Sequence, residues 1–209
     1  MRYRAVPLFA FLLVSLAAQD SELQDRYFGQ IFTAMGLSPG AVVADIGTGS
    51  RPVHALRMVK LIGTSGTIVC VDIDAKVVRQ LNESLKAETT PNITAQLGKP
   101  HDPMLAARTF DAILVSNTYH EMEEPQAMLD HIREALKPGG RLVIVEATIA
   151  KLRKAPRLQQ TAAHAFSPEL LDTELRAAGF EILTKIEPLL VEGSDIRYLI
   201  AATPRSTPQ

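Results

Sequence analysis

Short runs of apolar, largely β-branched residues alternate along the chain with stretches whose apolar positions recur at helical spacing. The runs at 42–46, 67–72, 93–97, 110–117 and 141–146 are apolar at successive positions, as in strands buried on both faces of a parallel sheet. Between the second and third runs, Asp74 can cap a helix in which Val77, Val78, Leu81 and Leu85 share one face, and Pro91 ends it. An amphipathic helix beyond Glu121 ends in Leu136-Lys137-Pro138-Gly139-Gly140. Ser167-Pro168-Glu169 sets a serine cap and a proline at the first helical position ahead of a helix that Gly179 closes. Upstream, Ser21 with Gln24 three positions on reads as a helix start. Leu23, Tyr27, Ile31 and Met35 then line one face of a helix expected to cover a ligand cleft.

Strands alternating with helices imply a doubly wound α/β sheet. Residues 180–187 and 195–203, joined by a turn around Glu192-Gly193-Ser194, suit an antiparallel terminal pair. Residues 98–109 read as a loop and 203–209 as a polar tail. With 209 residues, 46% of them hydrophobic, the chain can bury one substantial core and needs no second domain. A formal net charge of -1, with acids and bases interspersed, gives no basic footprint for nucleic acid. Cys70 is the sole cysteine and falls in a predicted buried strand, where it packs as a small apolar side chain. Arg2 and Arg4 precede the apolar run 5–16, and Ser15-Leu16-Ala17 supplies small residues for cleavage. Residues 1–18 are therefore expected to be a signal peptide or an N-terminal membrane anchor. This predicts an exported (periplasmic or secreted) or membrane-anchored protein, the alternative being a cytoplasmic one with a docked helix. The sequons at Asn82 and Asn92 read as chance matches.

The chemistry concentrates where strands end. Asp45-Ile46-Gly47-Thr48-Gly49-Ser50 follows the first strand, and its glycines permit a tight turn and close approach of a ligand. Asp72 closes the second strand at the separation expected of a carboxylate that accepts from ribose hydroxyls. A nicotinamide site would need G-x-G-x-x-G, and Pro52 stands at its third glycine position. Taken in order, Asp-Ile-Gly-Thr-Gly, Val-Asp-Ile-Asp, Phe-Asp-Ala-Ile-Leu-Val and Leu-Lys-Pro-Gly-Gly-Arg-Leu-Val-Ile-Val resemble the class I S-adenosylmethionine-dependent methyltransferases. The small-molecule branch, similar to ubiquinone and menaquinone biosynthesis methyltransferases, is the nearest likeness, and it runs from about Val42 to Thr203.

That resemblance implies a Rossmann-like, doubly wound, seven-stranded, mostly parallel sheet with an antiparallel C-terminal strand. It makes residues 19–209 a methyltransferase domain with a core at 41–203. It assigns S-adenosylmethionine as cofactor, held by Asp45, Gly47, Thr48, Gly49, Asp72, Ile73, Asp102 and Ser116. Asp45 would help position the ammonium, Asp72 would take the ribose hydroxyls, Ile73 would pack on adenine and Asp102 would approach its amino group. One departure is sharp: the family pattern has glycine where Arg51 stands, which would hinder backbone approach.

Tyr119, His120 and Glu121 follow the fourth strand, where the cleft of an open sheet lies, and are the catalytic candidates. His120 can act as a base near neutrality, or serve only to orient the loop. Glu146 ends the fifth strand at the same rim, and His164 lies in a loop that varies with substrate in the resembled family. No dense ligand spacing such as H-E-x-x-H appears among His120, Glu121, Glu146 and His164, so no metal is expected. Lys151, Arg153, Lys154 and Arg157 form a basic loop, either solvated or facing an anionic acceptor or membrane headgroups. The leading expectation is methyl transfer to a small-molecule acceptor. Its alternatives are a catalytically degenerate binding protein of the same fold and a nicotinamide-dependent oxidoreductase.

Overall fold

The computed structural model describes residues 8–87, 90–193 and 195–205. In chain order the elements are α1 Leu8–Met35, β1 Val42–Ile46, α2 Val53–Ile62, β2 Thr67–Asp72, α3 Ala75–Ala87, β3 Ile93–Leu97 and β4 Phe110–Ser116. They continue with α4 Pro125–Ala135, β5 Leu136–Ile149, α5 Arg157–Thr161, α6 Pro168–Ala177, β6 Phe180–Glu192 and β7 Asp195–Pro204. The strands form a seven-stranded sheet in the order β3-β2-β1-β4-β5-β7-β6. Neighbours from β3 to β5 are parallel, and β7 runs antiparallel to both β5 and β6. The expected architecture, with its antiparallel terminal strand, is the one observed.

Successive side chains of the central strands serve opposite faces. Val43, Cys70, Leu114 and Val143 join Ile31, Met35, Met58 and Leu81 in one buried cluster under α1, α2 and α3. Ala44, Ile46, Val115 and Ile144 join Leu129, Ile132, Leu171 and Leu175 in the other, under α4 and α6. Burying both faces accounts for strands that read as continuous apolar runs. Cys70 is fully buried, and burial together with the nearby Asp45 pushes its thiol up to about 12. Strand order reverses between β1 and β4, so the cleft opens at their carboxyl ends.

Two predicted caps stand. Asp74 Oδ1 accepts from the Lys76 N–H at 2.7 Å, and Ser167 Oγ accepts from the Leu170 N–H at 3.3 Å ahead of α6. Asn92 of the second sequon donates its amide to the carbonyls of Gly63 and Gly66, both at 3.0 Å, and so holds the turn into β2.

Other boundaries differ from expectation. Ser21 does not begin a helix: α1 runs through it from Leu8, because Leu16-Ala17-Ala18-Gln19 are strong helix formers with no breaker among them. Nor does α1 cover the cleft. Ile31, Phe32 and Met35 are buried against the sheet, Leu23 is 53% exposed, and none of the described α1 side chains lines the cleft. Arg141 Nη1 donates to the Ala34 carbonyl at 3.1 Å and fixes the end of α1 over β5. Arg2 and Arg4 lie outside the described residues, among which no helix is long and apolar enough to cross a membrane. The Leu136–Gly140 segment, expected to end the preceding helix, is instead the first part of β5, since α4 stops at Ala135. It bulges out, since Phe110 pairs with Leu136 while Ala112 already pairs with Arg141. Likewise β6 continues to Glu192, past the expected end at 187, with a register shift between Ile186 and Leu190.

Candidate active site

The turn after β1 is tied to β2, its parallel neighbour. The N–H groups of Gly47 and Thr48 both donate to the Val71 carbonyl, at 2.8 and 3.2 Å, and Thr48 Oγ1 donates to the Asp45 carbonyl at 2.7 Å. Gly47 has φ +74°, and a Cβ there would stand 2.3 Å from Thr118 Cγ2, so the position excludes any side chain. Gly49 has φ +67° and open space where a Cβ would be. Its N–H donates to Asp72 Oδ2 at 3.1 Å, while Asp72 Oδ1 accepts from the Asp74 N–H at 3.0 Å. Two backbone amides therefore fix the Asp72 carboxylate at the end of β2.

A cleft of about 330 Å³ opens here, within the range of ligand pockets, roughly 300–1,000 Å³. Ile46, Gly47, Gly49, Asp72 and Ile73 line one end, Thr118 packs beside Gly47, and Glu121, Met122 and Met128 line the other. Ile73 is 59% exposed, an apolar side chain on the rim. Of the remaining residues assigned to the cofactor, Asp45 and Thr48 stand behind the lining, in the β1 turn. Ser116 and Asp102 are not among the lining residues, and Asp102 Oδ1 instead accepts from the Met104 N–H at 2.7 Å. Lys99, Pro100 and Pro103 line the cleft at that point.

Asp45 is 2% exposed, and its Oδ2 has no hydrogen-bond partner among the described residues. Burial pushes its carboxyl up to about 7, against the opposing Thr48 hydroxyl. Because the folded value lies above the unfolded 3.8, the stability Asp45 contributes as a neutral acid is complete below about pH 4. It is lost as the pH rises to about 7. Asp45→Asn is thus expected to melt several degrees above the wild type at pH 8 and level with it near pH 4. Parallel melting curves across that range would contradict the assignment.

The Arg51 departure proves harmless to the turn. Arg51 is exposed, does not line the cleft, and is absent from the described non-glycine residues with positive φ. Gly47 and Gly49 meet the left-handed requirement by themselves, and buried Pro52 leads into α2.

At the other end, one 3₁₀ turn, Tyr119–Glu121, sends three successive side chains in different directions. Tyr119 is a correction to the catalytic set. It is fully buried on the α6 side, donates to Glu174 Oε2 at 2.7 Å and meets the Phe166 ring edge-on at 5.4 Å. His120 is buried towards β5, where its N–H donates to Glu146 Oε1 at 3.2 Å and its Nδ1 lies 2.8 Å from Glu146 Oε2. The Glu146 hydrogen bond raises the His120 pKa against the opposing effect of burial. Glu121 points outward into the cleft. His164, on the loop after α5, brings its Nδ1 to 3.4 Å from His120 Nε2. Glu146 is fully buried, so its role is to hold His120 rather than to meet a substrate.

The basic loop is largely committed elsewhere. Arg153 pairs with Glu169 and Glu187 at 2.5 and 2.6 Å, and Arg157 pairs with Glu174 at 3.1 Å and donates to the Met122 carbonyl at 3.2 Å. Lys151 and Lys154 remain exposed. Thr118 is a site residue that sequence reasoning missed. It packs into the notch left by Gly47 and lines the cleft, and its place between the end of β4 and Tyr119 was the available signal.

Sheet order, a glycine turn at the β1/β4 crossover and an acid closing β2 define an α/β protein built to hold a nucleoside-bearing cofactor. A family model described as a methyltransferase domain matches residues 37–179, and the chain belongs to the class I S-adenosylmethionine-dependent methyltransferases. A ubiquinone/menaquinone biosynthesis C-methyltransferase of Yersinia enterocolitica is 26% identical over 166 residues, 78% of this chain and 59% of that protein. A ribosomal RNA small subunit methyltransferase H of Afipia carboxidovorans is 33% identical over 135 residues, 61% of this chain and 38% of that protein. The chain thus spans about two fifths to three fifths of the length of these relatives. Among solved structures, a SAM-dependent methyltransferase from Aquifex aeolicus superposes with a TM-score of 0.71 at 22% identity, covering 84% of this chain and 88% of that one. The [4+2]-cyclase SpnF shares the fold with a TM-score of 0.69 at 18% identity, covering 87% of this chain and 82% of that one. The fold alone therefore does not choose the reaction.

Proposed function

We propose that this chain transfers a methyl group from S-adenosylmethionine to a small-molecule acceptor. The observation that carries the reading is a single cleft bordered by the glycine turn and Asp72 at one end and by Glu121 at the other. The residues fit the cofactor. A carboxylate offers about four lone-pair sites, and Asp72 uses two of them on backbone amides, which leaves two for ribose hydroxyls. Ile73 gains burial against an adenine ring, and the unpartnered Asp45 Oδ2 is a buried acceptor behind the turn for a cationic group. When bound, the cofactor supplies an already activated methyl group on a sulfonium. What remains for this chain is to bind, align and exclude water. Ile46, Val71, Met122 and Met128 give the cleft an apolar floor for that purpose.

A small acceptor is favoured over nucleic acid by the near-neutral net charge and by the engagement of Arg153 and Arg157 in internal ion pairs. The exposed Arg51, which does not line the cleft, weighs against a degenerate binding protein, and the family assignment weighs against the nicotinamide reading. The N-terminal pattern of Arg2, Arg4 and the apolar run 5–16 supports export or membrane attachment as part of the same proposal.

The test is formation of S-adenosylhomocysteine by the full chain against a panel of small hydroxyl, amine, thiol and activated-carbon acceptors, with ribosomal RNA alongside. Turnover with a small acceptor and none with RNA is expected. Methylation of RNA alone, or no turnover from a cofactor-bound protein with any acceptor, would overturn the reading.

A further inference from the structure

We propose that His120 Nε2, His164 Nδ1 and a Glu121 carboxylate oxygen form a binding site for a first-row divalent transition-metal ion at the acceptor end of the cleft. The three residues come from two segments with no ligand spacing between them, yet their ligand atoms all lie within 4.8 Å of one another. The separation of the two nitrogens, 3.4 Å, matches a shared ion. Two imidazole nitrogens each about 2.0–2.1 Å from zinc stand roughly 3.4 Å apart at a tetrahedral angle. Glu121 Oε1 is 3.9 Å from His120 Nε2, and its side chain is 62% exposed, so a small rotation closes the site without disturbing the core.

The surroundings prepare His120 for this role. The buried Glu146 carboxylate only accepts hydrogen bonds, so the proton of the neutral imidazole resides on Nδ1, 2.8 Å from Glu146 Oε2. The lone pair of Nε2 is then left towards His164. A carboxylate that orients a histidine through its other nitrogen is the usual support behind a metal ligand. The other Glu146 oxygen accepts the His120 N–H at 3.2 Å, so both oxygens of the carboxylate hold this one residue. His164 reaches this position with φ +49°, an uncommon conformation for a residue with a side chain. The simpler arrangement is a hydrogen bond from His164 Nδ1–H into the same Nε2 lone pair, and it assigns Glu121 no part.

Two imidazoles and one carboxylate select zinc, cobalt, nickel, iron or manganese over magnesium and calcium. Three protein ligands leave coordination positions open, as in catalytic rather than structural sites. Glu121 lines the cleft, so an ion it helps hold borders the space an acceptor enters. On the methyltransferase reading, the acceptor class is one with an oxygen or nitrogen donor able to occupy an open position.

The experiment uses the untagged, metal-stripped full chain titrated with Co²⁺, followed by visible absorption, and with Zn²⁺ by calorimetry. One equivalent of each is expected, with Zn²⁺ displacing Co²⁺. His164→Ala and Glu121→Gln, both at exposed positions, should each weaken binding at least about tenfold. His101→Ala and His131→Ala, at an exposed and a half-buried histidine outside the cluster, should leave it unchanged. Failure of the folded wild type to take up one equivalent would overturn the proposal, as would wild-type affinity in both His164→Ala and Glu121→Gln. S-adenosylhomocysteine binding by the same preparations depends on the Asp72 end of the cleft and reports the cofactor reading separately.

Discussion

Replacing Asp72 with alanine is expected to weaken S-adenosylmethionine binding by about two to four orders of magnitude while the sheet stays folded. Each ribose hydroxyl donating to an ionised carboxylate contributes about 1.5–3 kcal/mol, and about 1.4 kcal/mol is tenfold in affinity. Two such bonds give the range. The same substitution frees the Gly49 and Asp74 amides, which now close on the two Asp72 oxygens at 3.1 and 3.0 Å, and so loosens the turn that lines the cleft. The fold survives because Asp72 sits at the rim, whereas Ile68, Cys70 and Val71 of the same strand keep their buried places. Asp72→Asn should fall between the two, since one oxygen and no charge remain. Calorimetry on both variants, with melting curves as a control, is the measurement. Wild-type affinity in a folded Asp72→Ala protein would refute the ribose assignment.

Glu146→Ala should be the most destabilising substitution in the site. The change strands two buried donors, the His120 N–H at 3.2 Å and the His120 ring nitrogen at 2.8 Å from the lost oxygens. Each stranded donor costs about 1–3 kcal/mol, so the sum is about 2–6 kcal/mol. In a chain of this size each kcal/mol moves the melting temperature by about 2–4 °C, which predicts a drop on the order of 10 °C. Glu146→Gln should lose less, because its oxygen still accepts from the backbone and its amide can donate to a His120 that has moved its proton to Nε2. Thermal melts should therefore rank wild type, glutamine, alanine. An alanine variant that melts with the wild type would show that the pair does not order the Tyr119–Glu121 turn.

The glycine turn and the Asp72 strand end were legible because their signals are local. Gly47 and Gly49 are needed for their own φ angles, and Asp72 closes its own strand, so neighbouring residues carry the information. The same holds for the Asp74 and Ser167 caps. The Tyr119–Glu121 part was only partly legible, since its geometry depends on packing between distant segments. Tyr119, His120 and Glu121 are adjacent in sequence, yet one 3₁₀ turn commits the first to the core, the second to Glu146 and only the third to the cleft. Periodicity does not resolve three residues at that scale. His164 reaches His120 across 44 positions through a left-handed backbone angle that no sequence pattern announces. Arg51 misled for the opposite reason: a family glycine suggested a conformational demand that this turn places on Gly47 and Gly49 instead. At α1, helix propensity upstream of Ser21 overrode a local capping signal.

The central claim is that the cleft between Asp72 and Glu121 holds S-adenosylmethionine. Calorimetric titration of the purified full chain with S-adenosylmethionine and S-adenosylhomocysteine, with NAD as control, tests it most directly. Saturable one-to-one binding of the first two and none of NAD is the predicted result. A folded protein that gives no binding heat with either methionine-derived ligand would contradict it.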